Sequence, residues 1–323
     1  MKLKLFTHND LDGIGNIIIA KVLKYFNFYE DIDYEICDYK NINTKVLEYL
    51  DNVEENTELL FTDISVSEEV AEKIDKMDIN KKLLDHHKSA LGLNKYDWCT
   101  VKEVDDYSRL DKEFSEVKTC GSLLFFEYKR DIITTYLPDV IIKSLCDFIL
   151  LIRSYDTWDW TKDDVLLAKH LNDLLFMRGR ENFIEDMFIK ITSGDFPINH
   201  QDYKDLVERQ KKIDVYIDNK EKQVVEVNIK GLNAGVVIAE NYISELADTI
   251  LKRNVHLEIL AIINGFNVSL RTKRNNIDLS KLAQEYGGGG HPQASGFVLK
   301  PEMLKKGFSK MFNDDNWERF ENK

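Results

Sequence analysis

The chain of 323 residues carries 57 acidic and 44 basic side chains, giving a net charge of −13, and 43% of its residues are hydrophobic. This hydrophobic content excludes an intrinsically disordered protein, and the length favours two domains over one. The acidic balance disfavours binding to long duplex DNA, which depends on many lysine and arginine contacts to phosphates. A phosphate-bearing ligand should therefore be small.

Membrane insertion and disulfide bonding are both disfavoured by the sequence. The longest apolar stretch, 132–152, is interrupted by three charged residues, which a bilayer would have to accept. The first residues lack the apolar core and the cleavage site of a secretory signal, so we expect no membrane contact and a cytoplasmic location. The four cysteines form no Cys-x-x-Cys pair, which indicates reduced thiols.

The first half of the chain alternates short aliphatic runs with helical patterns. Strands are predicted over 2–6, 34–37, 59–62 and 82–84, and helices over 15–26, 44–50 and 68–77. This alternation predicts an α/β fold in which helices cover both faces of a parallel sheet. In such sheets, ligands bind at the carboxyl ends of the strands.

The second half predicts a core helix, a linker and a smaller domain. Residues 119–177 have a helical pattern with an apolar stripe typical of a buried core, and the charged stretch 201–223 predicts a long solvated helix. Further strands are predicted over 224–229, 235–240, 257–263 and 267–271, and a helix that ends in a glycine run over 279–286. We therefore predict domains at 1–180 and 224–323, joined by a helical linker at 181–223.

Carboxylates and imidazoles follow three of the predicted strands and the apolar stripe. They are His8, Asp10 and Asp12 after the first strand, Asp63 after the third, Asp85, His86 and His87 after the fourth, and Asp156 after the stripe. Such side chains suit a divalent metal ion. For each segment alone, a polar turn with helix caps or surface decoration is the alternative. The aromatic residues beside Asp156, which are Tyr155, Trp158 and Trp160, suit either stacking on a base or core packing.

Four consecutive glycines at 287–290 precede His291 and Pro292. Their backbone N–H groups can be approached by a phosphate without obstruction from Cβ atoms. No Lys-Ser or Lys-Thr pair follows, so the run is not a P-loop. Arg271, at the end of a predicted strand, would add a bidentate phosphate ligand. A flexible helix end is the alternative, and it accounts poorly for four glycines followed by a histidine.

Together these segments resemble the DHH phosphoesterases that carry the DHH-associated C-terminal domain. The resemblance rests on the segment 8–13, on Asp63, on Asp85-His86-His87, on Asp156 and on the segment 287–297, which occur in the family's order over nearly the whole chain. Within the family, the segments around Asp10 and Asp156 are most similar to NrnB-type oligoribonucleases. Phosphodiesterases of cyclic dinucleotides and of nucleoside bisphosphates are more distant relatives.

The resemblance implies a catalytic DHH domain, a substrate-binding C-terminal domain and roles for individual residues. The metal ligands would be Asp10, Asp12, Asp63, His86 and Asp156, with Asp63 bridging two ions. At the scissile phosphate, His87 would face the substrate and Asp85 would orient an imidazole. Substrate phosphate would be held by Arg271, Gly288, Gly289, Gly290 and His291. Relatives with a ligating histidine place it four residues before the first aspartate, whereas His8 precedes Asp10 by two, so a ligand role for His8 stays open.

The implied activity is hydrolysis of short oligoribonucleotides, or nanoRNA, to mononucleotides by a water molecule that two divalent ions activate. Mixed carboxylate and imidazole ligation favours Mn²⁺, with Mg²⁺, Co²⁺ or Zn²⁺ as alternatives. The expected partner is a short RNA or small nucleotide, and a homodimer is one candidate for the oligomeric state.

Two other activities and one role without activity remain as hypotheses. Hydrolysis of a cyclic dinucleotide or an adenosine bisphosphate is the second enzymatic reading. Action on pyrophosphate or polyphosphate is the third, and it would require more basic residues near the glycine run. A phosphate-ligand sensor without activity is the alternative of another class, against which the presence of Asp12, Asp63 and His86 argues.

Overall fold

A computed structural model describes residues 1–105, 117–161, 166–302 and 305 of the chain. Its residues group into two units, which we call the first unit, Met1–Leu206, and the second unit, Val207–Lys323. The boundary between the units falls within one long helix, His200–Glu221. The charged stretch is therefore helical, as predicted, while the functional division into two domains and a linker stays a prediction.

A parallel sheet of five strands forms the centre of the first unit, in the order β2-β1-β3-β4-β5. The strands are β1 (Lys2–Thr7), β2 (Ile32–Ile36), β3 (Thr57–Thr62), β4 (Asn80–Asp85) and β5 (Cys99–Val101). Thr7 at the end of β1 pairs with Ile36 of β2 and with Thr62 of β3. The predicted parallel sheet is confirmed, and its strands all end at the same edge.

Helices cover both faces of this sheet. They are α1 (Leu11–Tyr25), α2 (Ile42–Leu50), α3 (Glu68–Asp75), α4 (Gly121–Tyr128), α5 (Arg130–Tyr136), α6 (Asp139–Asp156), α7 (Leu166–Arg178) and α8 (Arg180–Ser193), before the long helix α9 (His200–Glu221). Successive strand residues join different cores: Leu5 packs with α1, α4 and α6, whereas Phe6 packs with α2 and α3. This alternation is what a strand buried on both faces requires.

Helix α1 begins at Leu11, earlier than the predicted start at residue 15. The Asp10 side chain caps the helix by accepting a hydrogen bond from the Gly13 N–H at 3.0 Å. This N–H lies in the first turn of the helix and would otherwise lack an acceptor. Gly13 lies inside α1, in its first turn. There a Cβ atom would lie 2.0 Å from the carbonyl oxygen of His8, so glycine is required for close packing.

The described part of the first unit also contains four short elements. They are a 3₁₀ helix at Lys88–Lys95, a two-stranded antiparallel ribbon of β6 (Val104–Asp105) and β7 (Val117–Lys118), and a 3₁₀ turn at Asp159–Thr161. All four cysteines are free thiols. Within the described ranges, no helix combines the length and the apolar content that crossing a bilayer requires.

The second unit is built on a mixed sheet of six strands, in the order β12-β13-β11-β10-β9-β8. Its elements are β8 (Val225–Ile229), β9 (Leu232–Ile238), α10 (Ile243–Arg253), β10 (Ile259–Asn264), β11 (Asn267–Arg271), α11 (Leu279–Glu285), β12 (Gly289–His291) and β13 (Ala294–Val298). Only β9 and β10 pair in parallel among the described strands of this sheet. One apolar core packs under α10 and another under α11, so helices again lie on both faces.

A buried charge network lies at the start of β3. Glu58 is fully buried, and the Lys129 ammonium lies 2.8 Å from both of its carboxylate oxygens. The hydroxyl groups of Tyr29 and Tyr128 donate to the same carboxylate at 2.6 and 2.8 Å. Burial lowers the pKa of Lys129 against the opposing effect of Glu58. The Lys129 ammonium and the two hydroxyl groups therefore compensate the charge of a carboxylate that solvent does not reach.

We expect Lys129→Met to lower the free energy of unfolding by about 3–5 kcal/mol, because it leaves the Glu58 carboxylate buried without a counter-charge. Adding Glu58→Gln removes that charge and keeps an acceptor for Tyr29, so the double variant should recover at least half of the loss. Urea unfolding followed by circular dichroism measures both values. A double variant no more stable than Lys129→Met would contradict this account of the network.

Candidate metal centre

The polar residues that follow the strands of the first unit meet at the carboxyl edge of its sheet. Their possible ligand atoms form three groups, each within 4.8 Å, which are Asp63 with Asp85, His86 and His87, then His8 with Asp10 and Asp63, and then Asp12 with His86 and Asp156. Because Asp63 and His86 each belong to two groups, the groups form one continuous cluster. The structure thus brings together every candidate ligand that the sequence suggested in this unit.

Asp63 occupies the centre of this cluster. It directly follows β3, is almost fully buried, and has a left-handed backbone with φ of 59°. Its N–H donates to the Leu84 carbonyl at 3.0 Å. Gly121 at the start of α4 is so close that a Cβ atom there would lie 2.6 Å from the Asp63 Cβ. The turn after β3 and the missing side chain at Gly121 together fix the direction of the carboxylate.

Asp12, in the first turn of α1, holds the start of α4. Its carboxylate oxygens accept hydrogen bonds from the N–H groups of Gly121 at 2.5 Å and Ser122 at 2.8 Å. The Ser122 hydroxyl also donates to the Asp12 carbonyl at 2.9 Å. Free amides at a helix N-terminus carry partial positive charge, so they stabilise a buried carboxylate. Asp12 is therefore held in place by α4 and still faces the cluster.

The ring of His86 lies among three carboxylates. Its Nε2 atom is 3.1 Å from Asp63 Oδ1, 3.5 Å from Asp156 Oδ2 and 3.9 Å from Asp12 Oδ2. Burial lowers the pKa of His86, although the Asp12 carboxylate acts in the opposite direction. A neutral imidazole has a lone pair on one ring nitrogen, which is the form that binds a metal ion.

Asp85 holds the loop that carries both histidines. Its Oδ1 atom accepts from the backbone N–H of His86 at 2.7 Å and lies 2.7 Å from His87 Nδ1, while Oδ2 accepts from the Ser65 hydroxyl. Burial alone would lower the pKa of His87, but the hydrogen bond to Asp85 and the charges of the nearby carboxylates together raise it. The imidazole that Asp85 contacts directly is thus that of His87.

His8 lies beside Asp10 at the edge of the cluster. Its Nδ1 atom is 2.7 Å from Asp10 Oδ2 and 3.9 Å from Asp63 Oδ2. Burial raises the pKa of Asp10, but the hydrogen bond with His8, the charge of His8 and the Gly13 amide together outweigh burial and lower that pKa to about 2. His8 and Asp10 therefore form a charge-compensated pair.

Two carboxylates of the cluster lack such compensation. Burial, and then repulsion by Asp12 and Asp10, raise the pKa of Asp156 to about 8 and that of Asp63 well above its ordinary value. In the described part of the chain, Asp63 Oδ2 is buried without a hydrogen-bond partner. Buried carboxylates that face one another are stable when a cation lies between them. The oxygen and imidazole donors of this cluster therefore fit a divalent metal ion.

Tyr39 lies beside this cluster. It lies in the loop after β2, with its ring centroid 5.4 Å from that of His8 and 6.0 Å from that of His87. Burial, and then the nearby carboxylates, raise the pKa of its phenol above the ordinary value. No motif marks a single tyrosine in a polar loop, and only its position after a predicted strand of a parallel sheet could have drawn attention to it.

The aromatic residues near Asp156 stack on one another. The ring centroids of Tyr155, Trp158 and Trp160 are 6.1–6.5 Å apart. Tyr155 and Trp160 pack against the core of the first unit, whereas Trp158 is 64% exposed and has a left-handed backbone with φ of 62°. Core packing therefore applies to two of the three rings, and Trp158 is open to solvent.

The candidate phosphate-binding residues belong to the second unit. Arg271 ends β11 and pairs with Ala294 of β13, and burial lowers the pKa of its guanidinium. The glycine run does not simply end a helix, because Gly289 begins strand β12. A Cβ atom at Gly288 would lie 2.1 Å from the Gly296 carbonyl oxygen, and Gly290 has φ of 134°.

His291 ends β12 and is exposed. Its carbonyl oxygen accepts the Ser295 hydroxyl at 2.6 Å, which closes the turn between the last two strands. Within the described residues, nothing lies within 4 Å of a Cβ atom built at Gly289. Arg271 and the glycine run thus belong to the same sheet, in strands β11 and β12, with β13 between them.

Comparison with known proteins agrees with this architecture. The family model of the DHHA1 domain matches residues 233–314. Oligoribonuclease NrnB of Bacillus subtilis (strain 168) is 33% identical to this chain over 320 residues, which cover 96% of this chain and 76% of that protein. The match thus extends over both units.

Two solved structures share the fold. The pGpG-specific phosphodiesterase PggH from Vibrio cholerae has a TM-score of 0.54 at 15% identity, over 96% of this chain and 97% of that chain. Exonuclease RecJ bound to manganese has a TM-score of 0.54 at 14% identity, over 96% and 88% respectively. With the DHHA1 match and the identity to NrnB, these likenesses show that the chain belongs to the DHH phosphoesterases that carry a C-terminal DHHA1 domain.

Proposed function

We propose that the protein is a metal-dependent phosphodiesterase that hydrolyses short oligoribonucleotides to mononucleotides. The observation that carries this proposal is the buried cluster at the sheet edge, in which Asp63 Oδ2 has no hydrogen-bond partner among the described residues. The substrate class is supported by the relationship to a protein named as an oligoribonuclease. The net charge of −13 also favours a short substrate over a long polymer.

In this proposal, two divalent ions are held by Asp10, Asp12, Asp63, His86 and Asp156. The donor set of carboxylates with an imidazole favours Mn²⁺ over Mg²⁺ or Co²⁺. When bound, the ions supply an activated water molecule and neutralise the charge of the phosphate. The chain's own contribution is to hold these ligands in a fixed arrangement, through the amides of α4 on Asp12 and the turn at Asp63.

The histidines outside this ligand set have different roles. His8 forms a hydrogen bond with Asp10 and orients that carboxylate, so we assign it no direct ligand role. Asp85 engages Nδ1 of His87, which leaves Nε2 as the nitrogen that can contact a phosphate oxygen. About a third of the His87 side chain is exposed, so a substrate can reach it.

The second unit would hold another part of the substrate. A guanidinium binds a phosphate through two parallel hydrogen bonds, and Arg271 is half-buried at the end of β11. The amides of Gly288, Gly289 and Gly290, with the exposed side chain of His291, complete the proposed phosphate contacts. In this reading 1–180 is the catalytic domain, 181–223 the linker and 224–323 the substrate-binding domain. A homodimer and a cytoplasmic location stay predictions.

The purified protein with Mn²⁺ should convert a labelled RNA dinucleotide and a five-residue RNA to mononucleotides, faster than it converts a cyclic dinucleotide or pyrophosphate. Asp63→Asn should lower the rate by about 10²–10³-fold, since metal-ion stabilisation of the transition state is worth several kcal/mol. Asp51→Asn, at an exposed position after α2, is the matched control and should be unchanged. Preference for the cyclic compound or pyrophosphate would assign another phosphoesterase activity, and no turnover at all would favour a binding protein.

We expect Mn²⁺ to reverse the order of thermal stability of the wild-type protein and the Asp63→Asn variant. In EDTA, Asp63→Asn should unfold at a higher temperature than the wild type, because the amide removes a charge that burial and neighbouring carboxylates disfavour. With Mn²⁺ at 100 times its Kd, the wild type should gain about 2.7 kcal/mol, while the variant gains little. Thermal unfolding in both buffers tests this. Equal stabilisation of the two proteins by Mn²⁺ would place the ions elsewhere.

A further inference from the structure

Tyr39 lies beside the cluster. Neither the sequence motifs nor the family resemblance assigns a role to it. It follows β2, whose carboxyl end lies at the same sheet edge as those of β1, β3 and β4. One side of its ring contacts the imidazoles of His8 and His87. The planes of the Tyr39 and His87 rings are perpendicular, at 89°. The side chain is nevertheless 54% exposed. The ring is therefore held from one side and open to solvent from the other.

The hydroxyl group of Tyr39 has no hydrogen-bond partner among the residues that the structure describes. It lies in the field of the carboxylates of Asp85, Asp63, Asp10 and Asp156. A phenol is a neutral donor at neutral pH. A lysine or arginine at this point would form ion pairs with the carboxylates and would have to break them before it could bind an anion. The phenol can donate to an anion directly.

A phosphodiester that enters this cluster meets side chains that are mostly acceptors. Ionised carboxylates have no proton to donate to the non-bridging oxygens of a phosphate. A neutral hydroxyl beside the cluster is suited to that task, and the contacts with the two imidazoles fix its ring before the substrate arrives. A donor that is already in position loses little conformational entropy on binding.

We propose that the Tyr39 hydroxyl donates a hydrogen bond to a non-bridging oxygen of the substrate phosphate and so helps to position the substrate. This inference rests on the proposed function, because it names a contact of that same site. It predicts that the hydroxyl group, and not only the aromatic ring, is required. Tyr39→Phe removes the hydroxyl and keeps the ring against His8 and His87, whereas Tyr39→Ala removes both.

The test is the measurement of kcat and KM on the RNA dinucleotide with Mn²⁺. Tyr39→Phe should lower kcat/KM by about 10- to 100-fold, the usual effect of losing a hydrogen bond to a charged group. Most of the change should appear in KM, since the contact is made to the substrate and the transition state alike. Tyr136→Phe is the matched control, because Tyr136 ends α5 and is 68% exposed. An unchanged kcat/KM for Tyr39→Phe, or a fall confined to kcat, would overturn the proposal.

Mn²⁺ affinity, measured by calorimetric titration, separates substrate contact from a structural role. It should be the same in Tyr39→Phe and in the wild type, because the hydroxyl is not a ligand. A loss of Mn²⁺ affinity parallel to the loss of activity would mean that Tyr39 acts through the histidines, and would overturn the proposal.

If the proposed phosphodiesterase activity is wrong, the result is different, because the wild-type protein then shows no turnover. The contact is then tested by the Mn²⁺-dependent binding of inorganic phosphate. Tyr39→Phe should weaken that binding about 10-fold or more, and equal binding by the two proteins would overturn the inference.

Discussion

The close contact between Asp63 and Gly121 is the constraint on which the site depends. Strand β3 ends in a left-handed turn at Asp63, and α4 begins so near to it that Gly121 has no room for a side chain. The same amide of Gly121, with that of Ser122, donates to Asp12 at the start of α1. One helix N-terminus therefore joins the ends of β1 and β3 and holds two buried carboxylates toward each other.

The carboxylates of the cluster differ in how the protein compensates their charge. Asp12 has the amides of α4, Asp85 has the amides of its own loop, and Asp10 has His8 and the amide of Gly13. Asp63 and Asp156 have raised pKa values, which mark carboxylates without sufficient compensation. A purely structural role would be served better by uncharged residues at both positions. The uneven compensation is what a site for cations requires, because the fixed ligands set the geometry and the uncompensated ones provide the attraction.

Hydrophobic periodicity predicted the parallel sheet, its helices and the edge at which the polar residues meet. It could not predict that α1 starts at Leu11, because Gly13 and Gly15 are typical of a turn until their packing partners are known. It also missed Gly121 and Tyr39. The need for glycine at 121 arises from Asp63, and the position of Tyr39 from His8 and His87, so each depends on residues that are distant in the sequence. Contacts of this kind exist only once the sheet is formed.

The glycine run of the second unit is another feature whose physical reasons could not be predicted from the sequence alone. The sequence presents four equivalent glycines, but the structure gives them different physical reasons. Gly287 has φ of 77° and Gly290 has φ of 134°, which disfavour side chains, and Gly288 packs against the backbone of β13. At Gly289 neither a positive φ nor a neighbour within 4 Å among the described residues requires glycine. Loss of activity on substitution of Gly288 would thus report on folding of the β12–β13 turn, whereas an alanine at Gly289 would obstruct only a ligand that approaches the amide.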